Sequence, residues 1–328
     1  MVKIFGDSGA IKEALHMNSV VANILHRSPE KMALRQAGLQ VELEQALRSR
    51  ADLAYCDRLV NALRLCCPWE ATLFQAELER CRGNYNACCD LLRHITVSAE
   101  ARIKCTSSLN NQFPSRSEST ICPEPLSHLN LATFEDHVSV GGLVKIALIG
   151  LRAHLLLAEV FLSKGMCQKA DKELNDAHCQ AEKFRLSSGE AAILLLRQAV
   201  NVVLARSSQP VDSPTDQILS EILHRSDSCT RFRYSVFVSR LRLSYLSSDS
   251  DRLSFLKCHL QLLLNALEFH RSLDDRQQIL LLLILLIAAL HASGRIEERN
   301  RAVHALEELR SKHHLPICSA RELAATLL

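Results

Sequence analysis

Three short stretches of the sequence carry residue types that occur in chemical sites. The first is GDSG at residues 6 to 9, which matches the motif around the nucleophilic serine of some proteases. That chemistry needs a base, a third group that holds the base, and backbone donors for the oxyanion on a rigid scaffold. Here the motif opens a helical stretch with no strand pattern around it. We therefore interpret Asp7 or Ser8 as a helix N-cap.

The second stretch brings cysteine and histidine together. Cys81, Cys88, Cys89 and His94 form the nearest approach to a zinc cluster, but the chain has no C-x-x-C pair. Structural zinc needs four ligands that converge from paired short spacings. We interpret these thiols as core residues, and we expect neither a metal nor a cofactor.

The third stretch, RFRYSVFVSRLRL at residues 231 to 243, mixes arginine with aromatic residues, as nucleic-acid-binding segments do. At about 100° per residue, Arg231 and Arg242 share one helix face. Arg233 and Arg240 lie on roughly the opposite face, so no single basic stripe forms. No glycine-rich phosphate loop is present either. We expect no nucleic-acid partner and no catalytic activity.

Composition sets the class of structure that could hold these stretches. The 328 residues are 48% hydrophobic and 5% aromatic, and glycine and proline are scarce, which favours helices. The net charge of +3 gives no strong field for nucleic acid or anionic lipid. The longest apolar run, Ile279 to Leu290, is shorter than the roughly 20 residues that span a bilayer, so we expect no membrane partner. We interpret nearly all of the 13 cysteines as reduced thiols of a cytosolic or nuclear protein.

Residues 144 to 184 carry the clearest repeat, two antiparallel helices joined at Gly165. Their large, small and aromatic residues follow the tetratricopeptide (TPR) pattern. The matching positions are Leu157, Ala158, Phe161, Gly165, Ala170, Leu174 and Ala177. Small residues let two helix backbones approach closely, and glycine at the turn takes positive φ without a Cβ clash. One such pair cannot bury its second face alone, which predicts an all-α, TPR-like helical-repeat solenoid.

Other repeats are degenerate. Residues 70 to 95 align with the central pair when Gly83 is placed over Gly165, except that Glu79 stands at the aromatic position. The TPR period is roughly 34 residues. Gly83 and Gly165 are about two such periods apart once part of an insertion is discounted, and Gly165 and Gly294 are just under four periods apart.

The chain divides into three parts. We predict N-terminal helical repeats at 1–103, a flexible insertion rich in Ser, Pro and Asn at 104–140, and a C-terminal solenoid at 141–328. Helices are expected at about 10–26, 30–48, 53–66, 188–205, 229–246, 252–271 and 276–292, with a last amphipathic helix after Gly294. Candidate phosphorylation sites in the polar loops are Ser115, Ser117 and Ser213.

The last helix pair resembles a known family. The run HASGRIEERNRAVHALEELRSKHHLP at 291 to 316 is similar to the C-terminal end of subunit 5 of the anaphase-promoting complex/cyclosome. In that family a short residue, glycine and a basic residue precede Glu-Arg-Asn-Arg and a final amphipathic helix. The positions that match are Gly294, Arg295, Glu298, Arg299, Asn300 and Arg301. Family members are longer, so the resemblance implies that this chain corresponds to their C-terminal repeat half.

The resemblance implies a non-catalytic scaffold of a cullin-RING-type E3 ubiquitin ligase, active in cell-cycle-regulated ubiquitination during mitosis. Its expected partners are other subunits of the complex, namely large platform subunits 1 and 4 and the TPR subunits. Its expected location is the nucleus and cytoplasm.

Two questions stay open at this point. Arg295, Glu298 and Arg299 contact a neighbouring subunit, or they form caps and salt bridges within the chain. The function is that of a scaffold subunit, or that of a free-standing TPR adaptor that binds a peptide motif of another protein. An adaptor needs several Asn, Lys or Arg residues converging on its inner helices. An enzyme needs buried, perturbed carboxylate or histidine pairs, which the sequence does not indicate.

Overall fold

The computed structural model describes residues 16, 20, 30–49, 51–112, 140–203, 238, 239, 241 and 256–313. Regular secondary structure within these ranges is helical, and no strand occurs among them. In chain order the helices are α1 (Glu30–Arg48), α2 (Leu53–Arg64), α3 (Pro68–Cys81), α4 (Tyr85–Gln112), α5 (Val140–Ser163), α6 (Cys167–Phe184), α7 (Ser187–Val203), α8 (Leu260–Ser272), α9 (Arg276–Ala292) and α10 (Ile296–His313).

Helix starts follow ordinary capping chemistry. Asp52 accepts a hydrogen bond from the Ala54 amide at 3.3 Å and caps α2. Asp275 accepts from the Gln278 amide at 3.2 Å and caps α9. Pro68 opens α3, where its missing N–H costs nothing because first-turn amides have no partner within the helix. The same residue therefore both stops α2 and starts its neighbour.

The helices stack in sequence order. Each described helix from α1 to α7 contacts the next, and α8, α9 and α10 do the same. In addition α3 contacts α5 and α5 contacts α7, so in the central repeats the first helix of one hairpin touches the first helix of the next. This pattern is that of a helical-repeat solenoid. The predicted fold class is confirmed.

Five connections share one turn geometry. Gly83, Gly165 and Gly294 have φ of 79°, 72° and 68°, and they end α3, α5 and α9. Arg185 and Asp274 also have positive φ, 53° and 50°, and they end α6 and α8. In each turn the amide after the positive-φ residue donates to a carbonyl five residues back. These pairs are Asn84 to Glu79, Met166 to Phe161, Leu186 to Ala181, Asp275 to His270 and Arg295 to Leu290. This is the Schellman arrangement, which satisfies helix-end carbonyls.

Most buried side chains of the described residues belong to three larger cores, and Leu280 and Leu281 form a small separate cluster. The N-terminal core joins α1, α2 and α3, the central core joins α3 to α7, and the C-terminal core joins α8, α9 and α10 with Val238 and Leu241. Helix α3 belongs to two cores, because Phe74 faces the first and Leu73 faces the second. The helix therefore couples the N-terminal hairpin to the central repeats.

Gly150 permits a close approach of helices within the central core. A Cβ at Gly150 of α5 would lie 3.1 Å from the Ala99 Cβ on α4 and 2.8 Å from the Gln180 Nε2 on α6. The first distance is tighter than most real Cβ contacts. Three helices therefore meet at a point where α5 has no side chain.

Several predicted boundaries need correction. Helix α4 continues to Gln112, so the insertion predicted to begin at 104 starts inside a helix. Residues 256–258 are helical, a turn at residue 259 separates them from α8, and residues 252–255 of the predicted helix lie outside the described residues. Helix α2 ends at Arg64 rather than 66. The predicted helices at 10–26 and 229–246 fall mostly outside the described residues, as does the insertion from 113 to 139.

Candidate protein-interaction surface

A row of ion pairs follows the contact between α3 and α5. The pairs are Lys145 Nζ with Glu70 Oε1 at 2.7 Å, Arg152 Nη2 with Glu77 Oε1 at 2.7 Å, and Arg80 Nη1 with Glu159 Oε2 at 2.6 Å. These six residues are here called the ion-pair row. Its α5 members recur every seventh residue, which is two helical turns, so they project from one face of the helix.

The carboxylates of the ion-pair row are largely withdrawn from water. The side chain of Glu159 is 6% exposed and that of Glu70 is 12% exposed. Burial by itself would lower the pKa of Arg80, but the carboxylates of Glu159 and Glu77 outweigh burial and raise it. The pKa of Arg152 is also raised, because Glu77 and Glu44 outweigh its burial. Both guanidinium groups therefore stay charged and paired.

Helix α1 adds a third layer to the ion-pair row. The Glu44 carboxylate lies 3.9 Å from Arg152 Nη1, and the Gln36 side chain donates to Glu70 at 3.5 Å. The Arg152 guanidinium also lies 5.2 Å from the centre of the Phe74 ring, within cation–π range. These contacts fix the angle between the N-terminal hairpin and the central repeats.

The ion-pair row limits what α3 and α5 can bind. A TPR adaptor that grips a peptide carboxylate presents cations that have no carboxylate of their own. Each cation of the ion-pair row has a carboxylate within 2.7 Å. On α7, Arg197 donates to Asn175 at 2.7 Å. The ion-pair row consequently holds α3 and α5 together, and it leaves little uncompensated charge for an incoming peptide.

The predicted TPR positions lie together in the central core. Leu157, Ala158, Phe161, Ala170, Leu174 and Ala177 are each no more than 4% exposed and belong to one cluster. Gly165 occupies the positive-φ turn between α5 and α6. Arg93 and Lys169 lie 5.9 Å from the centre of the Phe161 ring, on α4 and α6 respectively. The aromatic position thus touches its own hairpin and the preceding one.

The weaker repeat places a charge at the equivalent aromatic position. Glu79 accepts hydrogen bonds from Asn84 at 2.7 Å, Arg82 at 2.6 Å and Gln75 at 3.1 Å. The hydrogen bond from Asn84 is the largest cause that lowers the pKa of Glu79, and it outweighs the effect of burial. Glu79 therefore ties down the Gly83 turn with polar contacts in place of aromatic packing.

The three residues proposed to touch a neighbouring subunit have partners within this chain. Arg295 Nε donates to Glu298 Oε1 at 2.7 Å, and the two side chains are 45% and 39% exposed. Arg299 donates to Asn300 Oδ1 at 2.7 Å and lies 3.3 Å from His291 Nδ1. The intramolecular alternative thus describes their state in the isolated chain, and contact with a partner stays a prediction. Ser115, Ser117 and Ser213 lie outside the described residues.

One histidine lies between acidic side chains, and no sequence pattern marks it. His154 of α5 is 5% exposed, and its Nδ1 lies 2.8 Å from Glu173 Oε2 on α6. Its Nε2 lies 3.9 Å from Glu100 Oε1 on α4. Ligand atoms of His154, Glu173 and Asp176 all lie within 4.8 Å of one another, a spacing that a metal ion could bridge. The hydrogen bond to Glu173 accounts for the grouping as an interhelical polar contact.

The remaining chemical candidates are two thiols of the central core and two sequence motifs. Cys88 and Cys89 are buried in the central core, and burial raises the pKa of the Cys88 thiol to about 12. A thiol with so high a pKa is a poor nucleophile at neutral pH. GDSG lies outside the described residues, and from 231–243 the structure describes Val238, Ser239 and Leu241, all buried.

Helix α5 is the most apolar long helix among the described residues. Its stretch Gly142–Ser163 has the length and composition of a membrane span, and 61% of its most apolar window is buried. Helices α3, α4, α6 and α7 surround it. A core helix of a repeat protein passes the same test, and we interpret α5 in that way. The uninterrupted apolar run at 279–290 lies in the shorter apolar helix α9.

Comparison with known proteins adds no assignment. No protein-family model matches the chain, and no curated protein matches it either. The resemblance at residues 291 to 316 accordingly stays a prediction.

Proposed function

We propose that the chain is a non-catalytic scaffold whose stacked helix hairpins hold other proteins. The observation that carries this proposal is the repeat itself, five connections with one turn geometry and first helices that contact one another. Such an architecture makes long helical faces, and most solenoids use those faces to bind proteins. The ion-pair row supports the proposal because it fastens helices to each other and leaves outer faces for partners.

The specific scaffold that we propose is a subunit of the anaphase-promoting complex/cyclosome, of the subunit 5 type. The support is the resemblance at residues 291 to 316. There the Gly294 turn has φ of 68°, the matching residue Arg295 is exposed just before α10, and the matching residue Glu298 is half-buried in the first turn of α10. On this proposal the partners are platform subunits 1 and 4 and the TPR subunits, and the protein acts in the nucleus and cytoplasm during the cell cycle.

Outer-face chemistry is consistent with a protein partner. Helix α10 is mostly exposed along one side, with acidic and basic side chains mixed. Ile296, the first residue of α10, is 60% exposed. A large apolar side chain within a rim of charges is a common arrangement at protein interfaces.

The experiment is purification of the tagged full chain from dividing cells, with quantification of every subunit that co-purifies. A triple variant Arg295→Glu, Glu298→Arg, Arg299→Glu reverses the proposed contact while it keeps the internal charge pair possible. Its matched control is Glu307→Lys, Glu308→Lys, Lys312→Glu on the same helix. We expect the first variant to lose at least one subunit that the control retains. Equal recovery of every subunit would reject the contact.

The adaptor alternative is less well supported. It requires unpaired Asn, Lys or Arg side chains on the inner helices, whereas the cations of the ion-pair row each have a carboxylate partner. Tight binding of an isolated peptide by the purified chain would favour the adaptor over the scaffold.

A further inference from the structure

One hydrogen bond joins α1 to the turn between α8 and α9. The Gln45 side chain on α1 donates from Nε2 to the carbonyl oxygen of Leu273 at 2.7 Å, across 228 residues of sequence. Leu273 follows α8, so its carbonyl is one of the helix-end acceptors that the helix itself leaves without a donor. The N-terminal hairpin thus reaches the turn between α8 and α9.

The contact is not backed by a shared core. Leu43 and Ala46 of α1 belong to the N-terminal core, whereas Leu267 and Ile279, on either side of the α8–α9 turn, belong to the C-terminal core. Among the described residues no hydrophobic cluster contains members of both. Leu273 itself is 5% exposed, so the burial of this leucine and the hydrogen bond from Gln45 both favour closure at this point.

Several polar atoms near the contact are buried without hydrogen bonds. On α1 they are Gln45 Oε1 and, one turn further, Arg48 Nη1. On the other side they are both ring nitrogens of His270 and Gln278 Oε1. His270 is fully buried, and Asp275 Oδ2 lies 3.4 Å from its Nδ1 without the alignment of a hydrogen bond. A buried polar atom that lacks a partner is costly, because water would satisfy it if the site opened.

We propose that this contact is a polar latch, formed by Gln45 and Arg48 with the His270–Gln278 segment, which opens and closes reversibly. The hydrogen bond to Leu273 favours the closed form, and hydration of the buried polar atoms favours the open form. Because the two cores on either side stay intact, opening needs no unfolding. A protein that binds α1 or the α8–α9 hairpin shifts the balance by its preference for one form. The latch does not depend on which partner the scaffold holds.

Hydrogen exchange of the full chain, read by mass spectrometry over 43–49 and 270–278, tests the latch. Gln45→Ala removes the hydrogen bond. We expect exchange in both segments to rise by roughly 2- to 10-fold, the loss of one ordinary hydrogen bond. Gln45→Glu places a carboxylate against the Leu273 carbonyl, so the rise should be larger.

Gln36→Ala is the matched control. Gln36 is also on α1 and also makes a side-chain hydrogen bond, but its partner is Glu70 within the N-terminal half. Exchange over 270–278 should stay at the wild-type rate in this variant. Small-angle X-ray scattering gives a second readout, since Gln45→Glu should enlarge the radius of gyration and Gln36→Ala should not. Wild-type exchange over 270–278 in both Gln45 variants, or an equal rise in the control, would overturn the proposal.

Discussion

The shared turn predicts opposite effects for two substitutions. Gly83 has φ of 79°, and no atom lies within 4 Å of the Cβ that alanine would add. Gly83→Ala therefore introduces backbone strain and no steric clash. Arg185 ends α6 in the same left-handed region, with φ of 53° and ψ of 48°. Arg185→Gly removes that strain.

The magnitude comes from two terms. A residue with a Cβ costs about 1–2 kcal/mol in the left-handed region. Alanine in place of glycine recovers about 0.4–1 kcal/mol by restricting the unfolded chain. Gly83→Ala should therefore lower the free energy of unfolding by about 1 kcal/mol. Arg185→Gly should raise it by about the same amount, since the Arg185 side chain is exposed.

Urea unfolding followed by circular dichroism measures both changes through the transition midpoint. Gly294→Ala is a built-in repeat of the first test, because its φ is 68° and its Cβ site is equally open. A midpoint that is unchanged or higher in Gly83→Ala, or lower in Arg185→Gly, would refute the assignment of these turns.

Three further predictions follow from individual contacts. Glu159→Gln leaves Arg80 without the carboxylate at 2.6 Å, so the free energy of unfolding should fall by about 1–3 kcal/mol. The double variant Arg80→Met, Glu159→Gln should lose less than the sum of the two separate changes, and urea midpoints measure this difference. The hydrogen bond that Tyr55 donates to the Glu42 carboxylate raises the pKa of Tyr55 to about 12. This hydrogen bond therefore stabilises the fold below pH 10, and the stabilisation is lost as the pH rises towards 12. Absorbance at the phenolate band should show one late-titrating tyrosine that disappears in Tyr55→Phe, and its persistence in that variant would contradict the assignment. Burial raises the pKa of the Cys67 thiol to about 12, so iodoacetamide at neutral pH should modify exposed Cys105 well before Cys67. Peptide mapping measures the two rates of modification, and equal rates would contradict the burial of Cys67.

The elements that the sequence predicts well are those with periodic or punctuated patterns. Apolar residues at helical spacing gave the bounds of Glu30–Arg48 and Arg276–Ala292. Glycine marked three of the five shared turns, because only glycine enters the left-handed region freely. The turns at Arg185 and Asp274 carry no such mark. Their positive φ is imposed by the helices on either side, which local composition does not record.

The polar contacts between helices were not predictable from one sequence. Charges spaced by seven residues on α5 are visible at Lys145 and Arg152, but their partners on α3 depend on the register between two helices 75 residues apart. His154 looks like any histidine on an apolar helix until α4 and α6 bring Glu100 and Glu173 beside it. The contact of Gln45 with Leu273 depends on how every intervening hairpin stacks. Such contacts follow from the accumulated geometry of the solenoid.

The most direct test of the central claim is the stoichiometry of proteins that co-purify with the tagged full chain. Leu174→Asp, which puts a charge into a fully buried position of the central core, serves as the unfolded control. We predict that platform subunits of the anaphase-promoting complex are recovered in amounts equal to the wild-type chain and are absent from the control. Recovery of the wild-type chain without any of these subunits would contradict the proposed scaffold function.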